Sequence, residues 1–183
     1  MELTEDLRQR IRTIPDFPKP GIAFKDITPI LQDPPLLHRC VLALRDRFGA
    51  TGFDAVGGIE SRGLIFGVLV AQACMRPFFP FRKLGKLPWR CLRESYSLEY
   101  GEGALEMHED AFTRGARVLI LDDLLATGGT AAAAARLVQR AGGEVAGAGF
   151  VVELGFLPGR EPLRAVGIAE ERIQSLIAFG IEG

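Results

Sequence analysis

The spacing of apolar positions changes several times along the chain, and each change predicts an element. Leu3, Leu7, Ile11 and Ile14 recur at helical spacing with charges between them, which predicts an amphipathic helix over residues 3–13. Asp33-Pro34 opens a second helix to about Phe48, with Leu37, Cys40, Val41, Leu44 and Phe48 as its apolar stripe. His38 lies off that stripe and reads as a surface histidine. Residues 53–59 read as a strand, 64–75 as a helix and 78–82 as a strand. Ser95 to Gly101 alternates like one arm of a hairpin, with Gly101 and Gly103 marking a turn. Residues 105–110 lead back toward the sheet, and Arg114-Gly115 turns the chain. Val118 to Leu121 is an unbroken apolar run, the pattern of a strand buried on both faces of a parallel sheet. Residues 131–141, rich in alanine, predict a helix ended by Gly142-Gly143. Residues 145–152 and 176–179 supply further strands. Strands alternating with helices predict an α/β fold, a doubly wound parallel sheet whose ligands sit at the carboxyl ends of its strands.

Composition narrows the class without naming a reaction. The 183 residues suit one domain spanning 1–183, and 48% hydrophobic with 25% charged content is globular. A net charge of −1 gives no reason to expect nucleic acid or anionic membrane as a partner, so any positive field is local. Cys40, Cys74 and Cys91 have neither metal-ligand nor redox spacing, which fits reduced thiols. The acidic N-terminus lacks an apolar signal core, and the stretch 64–74 is too short to span a bilayer, so a cytoplasmic protein is expected.

Chemistry concentrates where strands meet helices. Asp122 and Asp123 end the apolar run, and Ala126-Thr127-Gly128-Gly129-Thr130 leads into the alanine-rich helix. Unpaired N–H groups and the positive dipole end of a helix favour an anion, and glycine lets it come close. Carboxylates beside such a nest fit a ligand with phosphate at one end and hydroxyls at the other. Two solvated aspartates and an ordinary capped helix fit as well. A second strand–loop–helix unit carries Glu60-Ser61-Arg62-Gly63. A cationic run, Arg82-Lys83-Leu84-Gly85-Lys86, reads equally as a solvated loop or a mobile lid. Pro15, Pro18, Pro20 and Gly21 exclude helix and predict a stiff extended arm. There is neither a P-loop nor a Gly-x-Gly-x-x-Gly turn after a strand.

Asp122-Asp123-Leu124-Leu125-Ala126-Thr127-Gly128-Gly129-Thr130 closely resembles the phosphoribosyl pyrophosphate (PRPP) signature of type I phosphoribosyltransferases, in the form used by those acting on adenine. Asp16-Phe17-Pro18-x-Pro20-Gly21-Ile22-x-Phe24-x-Asp26 resembles their N-terminal hood, and Ser95-Tyr96-Ser97-Leu98-Glu99-Tyr100-Gly101 their lid motif. The resemblance implies a hood over roughly residues 1–32, a lid over roughly 84–104, and the reaction adenine + PRPP → AMP + diphosphate with Mg²⁺, passing through an oxocarbenium-like transition state. It implies that Phe24 stacks on the base while backbone at Ala23 and Lys25 reads its edge. Asp122 and Asp123 would hold the ribose, and Ala126 to Thr130 the 5-phosphate. Glu60, Ser61, Arg62, Gly63, Lys83, Lys86 and Tyr100 would face the diphosphate, with a cis peptide at Glu60–Ser61. Glu99 would be catalytic. No dedicated metal ligands are implied, Mg²⁺ riding on PRPP and water, and a homodimer is expected. Lys25 stands where the family often has arginine, and Trp89-Arg90-Cys91 departs from its pattern. Two rivals stay open: salvage of a 6-oxopurine, and a PRPP-sensing regulator that binds nucleic acid.

Overall fold

The computed structural model describes residues 2–98 and 101–180. Helix α1 (Leu3–Arg10) ends before residue 13, as Ile11 turns to extended geometry at φ −70°, ψ 123°. Ile14 precedes Pro15, a position that disfavours the helical region. Arg12–Ile14 instead forms β1, paired antiparallel with β2 (Phe24–Asp26). The proline-rich segment between them is therefore not the extended arm expected. It folds back on itself, with the Gly21 N–H donating to the Asp16 carboxylate at 2.7 Å and the Phe17 N–H to the Ile22 carbonyl at 3.2 Å.

Helices α2 (Thr28–Leu31) and α3 (Pro34–Gly49) follow. Asp33 caps α3 by accepting from the Leu36 N–H at 3.1 Å. Its buried stripe is the expected one except that Leu36 replaces Leu37. Burial pushes the Cys40 thiol up to about 12, so this cysteine is an inert core residue.

The rest of the chain builds one sheet. Its elements are β3 (Ala55–Ile59), α4 (Gly63–Ala73), β4 (Phe78–Lys83), β5 (Cys91–Leu98), β6 (Gly101–His108), β7 (Arg117–Leu125), α5 (Gly129–Arg140), β8 (Glu144–Leu154), α6 (Arg160–Ala165) and β9 (Ile173–Phe179). The strand order is β5-β6-β4-β3-β7-β8-β9. From β4 to β9 the pairs are parallel, while β6 joins β4 antiparallel and pairs with β5 as a hairpin.

Alternation along β7 divides the core. Leu119 and Leu121 pack with α1, α3 and α4 residues such as Leu7, Leu44 and Phe66. Val118 and Ile120 pack on the other face with Leu137 of α5 and Leu163 of α6. Covering both faces is what allows an unbroken apolar run to serve as a strand. Ala131 to Ala135 are all buried, and their small side chains seat α5 closely against the sheet.

Candidate active site at the carboxyl ends of β3 and β7

Strand β7 is longer than the apolar run suggested. Its ladder with β8 continues through Asp122↔Phe150 to Leu125↔Glu153, while its ladder with β3 stops at Gly58↔Leu121. Asp122 and Asp123 thus lie within a strand rather than after it, beyond the last pair with β3. Asp123 is buried and takes Nε of Arg62 at 2.5 Å. Asp122 accepts the N–H of Asp123 at 2.8 Å and packs against the start of α4, where a Cβ on Gly63 would stand 2.6 Å from its Oδ1. Glycine at 63 is what lets the helix come this near the acid. Desolvation, then the neighbouring Asp123 charge, hold the Asp122 carboxyl well above the usual carboxylate range.

Arg62 also faces the hood. Its Cζ lies 5.5 Å from the centroid of the Phe24 ring, which makes a T-shaped pair with Phe17, the ring centroids 5.2 Å apart. Phe24, Arg62 and Asp123 are therefore brought together from three distant parts of the sequence, and Ala23 is exposed beside Phe24. Lys25, next along β2, faces the other way. It is buried, donates from Nζ to Thr13 Oγ1 at 2.9 Å, and sits 4.3 Å from the centroid of the Phe179 ring. Burial, then the charge of Arg8, lower its pKa. Its side chain packs beneath the hood, away from Arg62 and Phe24.

Ala126, Thr127 and Gly128 join β7 to α5. Gly128 takes a left-handed φ of +79°, and no side chain caps the helix. Asp122, Leu125, Thr127, Gly128 and Thr130 help to line a cavity of about 80 Å³. The N–H groups of Gly129 and Thr130 belong to the first turn, where an anion is favoured.

The Glu60–Ser61 peptide is cis, as the resemblance implied, and Ser61 is exposed. The Glu60 carboxylate turns toward β4, where it accepts from Arg82 Nε at 2.9 Å and the Lys83 N–H at 2.8 Å. The Arg82 hydrogen bond leads in holding its pKa below the usual range. Glu60 thus braces the end of β4.

Lys83 is exposed but closes β4, paired with Leu105 of β6, rather than lying in the loop expected, and Lys86 is exposed on the loop that follows. That loop's main anchor escaped the sequence reading. Glu106 of β6, 1% exposed, accepts the N–H groups of Lys86 at 2.8 Å and Leu87 at 2.9 Å, with Arg93 Nε at 3.6 Å. Burial pulls the Glu106 pKa up, but the N–H groups of Leu87, Gly85 and Lys86 outweigh it, and the carboxyl lies below its ordinary value. The one signal in the sequence was an acid set between core residues Leu105 and Met107. Glu94 of β5 is likewise gripped by Arg136 at 2.6 Å and Arg140 at 2.7 Å, which ties the hairpin to α5. Glu99 and Tyr100 lie outside the described residues. Among the described residues no three acidic, histidine or cysteine side chains converge as a metal site, and no helix is long and apolar enough to cross a membrane.

An acidic pair and two helix starts thus meet at the carboxyl ends of adjacent parallel strands, and residues 29–156 match the model of the phosphoribosyl transferase domain. The adenine phosphoribosyltransferase of Myxococcus xanthus is 50% identical over 177 residues, which is 97% of this chain and 94% of that protein. The crystal structure of adenine phosphoribosyltransferase from Thermoanaerobacter pseudethanolicus superposes with a TM-score of 0.91 at 46% identity, covering 96% of this chain and 99% of that one. The Saccharomyces cerevisiae enzyme, complexed with an imino-altritol 1,6-bisphosphate and adenine, gives 0.86 at 36% identity over 95% of this chain and 98% of its own. The chain belongs to the adenine phosphoribosyltransferase family.

Proposed function

We propose that this protein transfers the phosphoribosyl group of PRPP to adenine, releasing AMP and diphosphate. The observation that carries the reading is the meeting of Phe24, Arg62 and Asp123 beside the uncapped start of α5. An aromatic platform, a cation, a carboxylate pair and an anion nest follow one another in the order of base, diphosphate, ribose and 5-phosphate. The yeast relative was crystallised with adenine, which supports adenine as the base.

In the reaction the bond from ribose C1 to the diphosphate oxygen breaks, and N9 of the base bonds to C1 and gives up its proton. Negative charge grows on the leaving group while the ring becomes cationic. Arg62, exchanging Asp123 for the ligand, would meet the diphosphate together with Lys83, Lys86, Tyr100 and backbone N–H groups at Ser61 and Gly63. Asp122 and Asp123 would accept the ribose hydroxyls and favour the cationic ring. Ala126 to Thr130 would hold the 5-phosphate, Ala23 and Lys25 backbone the base edge, and Glu99 the purine proton. Glu60 serves this site by bracing the end of β4 at Lys83.

Mg²⁺ is hard and takes oxygen, and among the described residues no cluster of three acidic side chains awaits it, so PRPP and water would supply most of its ligands, with Asp122 and Asp123 nearby. It would offset the charge of the diphosphate. Roughly residues 84–104 would serve as the lid, excluding water from the cationic ribose. A chain working on a soluble sugar phosphate with three free thiols fits the cytoplasm, acting as a homodimer.

Incubation with Mg²⁺, PRPP and each of adenine, hypoxanthine, guanine and xanthine tests the reading. AMP formation at least about a hundredfold faster than the other products is expected for a site that hydrogen-bonds one base edge. Turnover of a 6-oxopurine at a matching rate, or none with any base, would discard it. Glu99→Gln should lower kcat by about 10²-fold or more with KM for PRPP little changed. Unaltered turnover would remove Glu99 from the chemistry.

A further inference from the structure

The 5-phosphate loop rests on a part of the chain that lies past the matched span of 29–156. A Cβ on Gly128 would stand 2.0 Å from the carbonyl oxygen of Gly159, and a Cβ on Gly159 would stand 2.4 Å from the carbonyl oxygen of Ala126. Backbone meets backbone here with no room for a side chain on either residue. The two glycines are needed for different reasons. Gly128 adopts φ +79°, which disfavours other residues by itself. Gly159 has φ −56° and ψ −30°, a conformation open to any residue, so only the nearness of the loop demands glycine.

Gly159 is in turn held from behind. Arg160 places Nε and Nη2 on the two carboxylate oxygens of Glu153 at 2.6 and 2.7 Å, and Nη1 on Glu170 at 2.7 Å. Glu153 also accepts from Ser175 Oγ at 2.7 Å, and it is the register partner of Leu125, one residue before the loop. A bidentate fork of this kind fixes direction as well as distance. It fastens the start of α6 to β8 and β9 beside the loop of residues 126–128.

We propose that Gly159 is a positioning residue, held by Arg160, that sets the depth of the 126–130 loop and thereby the grip on the phosphorylated end of the ligand. This rests on the 5-phosphate assignment above. Gly159→Ala adds one methyl group without backbone strain, and that methyl strikes the Ala126 carbonyl at 2.4 Å and the buried Leu125 side chain at 2.9 Å, so its effect falls on the loop and on the residue that leads into it. A displacement approaching 1 Å should raise the AMP dissociation constant and KM for PRPP about tenfold or more, since misplacement on that scale costs up to about 10²-fold. Inorganic diphosphate binding and KM for adenine, which do not use the loop, should stay within about twofold. Calorimetry on the full-length protein reads the binding constants.

AMP binding unchanged in Gly159→Ala overturns the proposal, as does equal weakening of AMP and diphosphate, which would mark general loosening. Thr130→Ala separates the two readings. If it weakens AMP and Gly159→Ala does not, this inference falls and the phosphate site stands. If neither variant weakens AMP, the phosphate assignment falls with it. Should Gly159→Ala fail to fold, Arg160→Lys carries the test, keeping the charge and losing the fork. AMP weakened several-fold with diphosphate unchanged supports the proposal, and AMP unchanged overturns it.

Discussion

At Asp122 the free protein and the ligand make opposite demands. Burial and the Asp123 charge favour the protonated carboxyl, whereas the proposed ribose hydroxyls, donating to it, would favour the carboxylate. Ligand binding should then release protons wherever Asp122 is still partly protonated, and affinity should rise with pH through its raised pKa. AMP complicates this, because its phosphate loses a second proton near pH 6 by about the usual value. Asp122→Asn isolates the carboxyl. Calorimetric AMP affinity between pH 5 and 8 should climb more steeply in the wild type than in Asp122→Asn. Parallel profiles would mean that Asp122 does not hold the ribose as an anion. The obvious probe of the phosphate nest, valine at Gly128, is a poor one, since any Cβ there strikes Gly159 before a ligand arrives. Thr130→Ala removes only a hydroxyl, and losing a hydrogen bond to a charged group should weaken AMP by about 1.5–3 kcal/mol. Affinity within twofold of wild type would take Thr130 out of the contact. Residues of this kind were legible because their chemistry is local. The acidic pair, the small-residue turn and the helix behind it are contiguous in sequence. Lys25 was not, because its direction depends on Phe179, which lies on the last strand.

Elements with a strong period were legible, and those fixed by tertiary partners were not. The helix over Pro34–Gly49 and the strand ending at Ile59 follow from periodicity and local caps. By contrast, β1 exists only because β2 pairs with it, and β7 outruns its apolar run because β8 continues beside it. The loop of Lys86 shows the same dependence. Charge alone left it open whether it was solvent-swept, yet Glu106 on another strand holds its backbone. Glu106→Leu should cost about 1–3 kcal/mol in denaturant unfolding, by leaving the Lys86 and Leu87 N–H groups without their protein acceptor. KM for PRPP should rise as Lys86 loses its place, and Glu106→Gln, which keeps one acceptor oxygen, should recover part of both. A carboxyl whose folded pKa is depressed stabilises fully above its unfolded value, about 4.3 for glutamate, and that contribution is lost as pH falls through the lower folded value. The acid limb of the wild-type stability profile should therefore be steeper than that of Glu106→Gln. Equal slopes would show that the carboxylate contributes nothing in its charged form.

On the scale of the whole molecule, α4 stands out because it is apolar on both sides. Phe66, Gly67, Val70 and Ala71 are buried against the sheet and α3, while Ile65 and Val68 remain 38% and 46% exposed and Met75, just past its end, is 86% exposed. A helix apolar all round is expected to be covered. Within one chain nothing described covers this face, which is what a twofold partner would do through a self-complementary patch. The same helix begins at Arg62 and Gly63, so a partner seated along it would steady the diphosphate end of the site as well as hide apolar surface. The wild type should sediment as a dimer at micromolar concentration. Val68→Glu would place one charge from each protomer in that seam, and desolvating an unpaired carboxylate costs several kcal/mol. The variant should sediment as a monomer and show a raised KM for PRPP, with the far-ultraviolet circular dichroism of the wild type. A dimeric Val68→Glu protein would place the interface elsewhere. A monomeric wild type with full turnover would show that the site is complete within one chain and that α4 keeps its open face for another purpose.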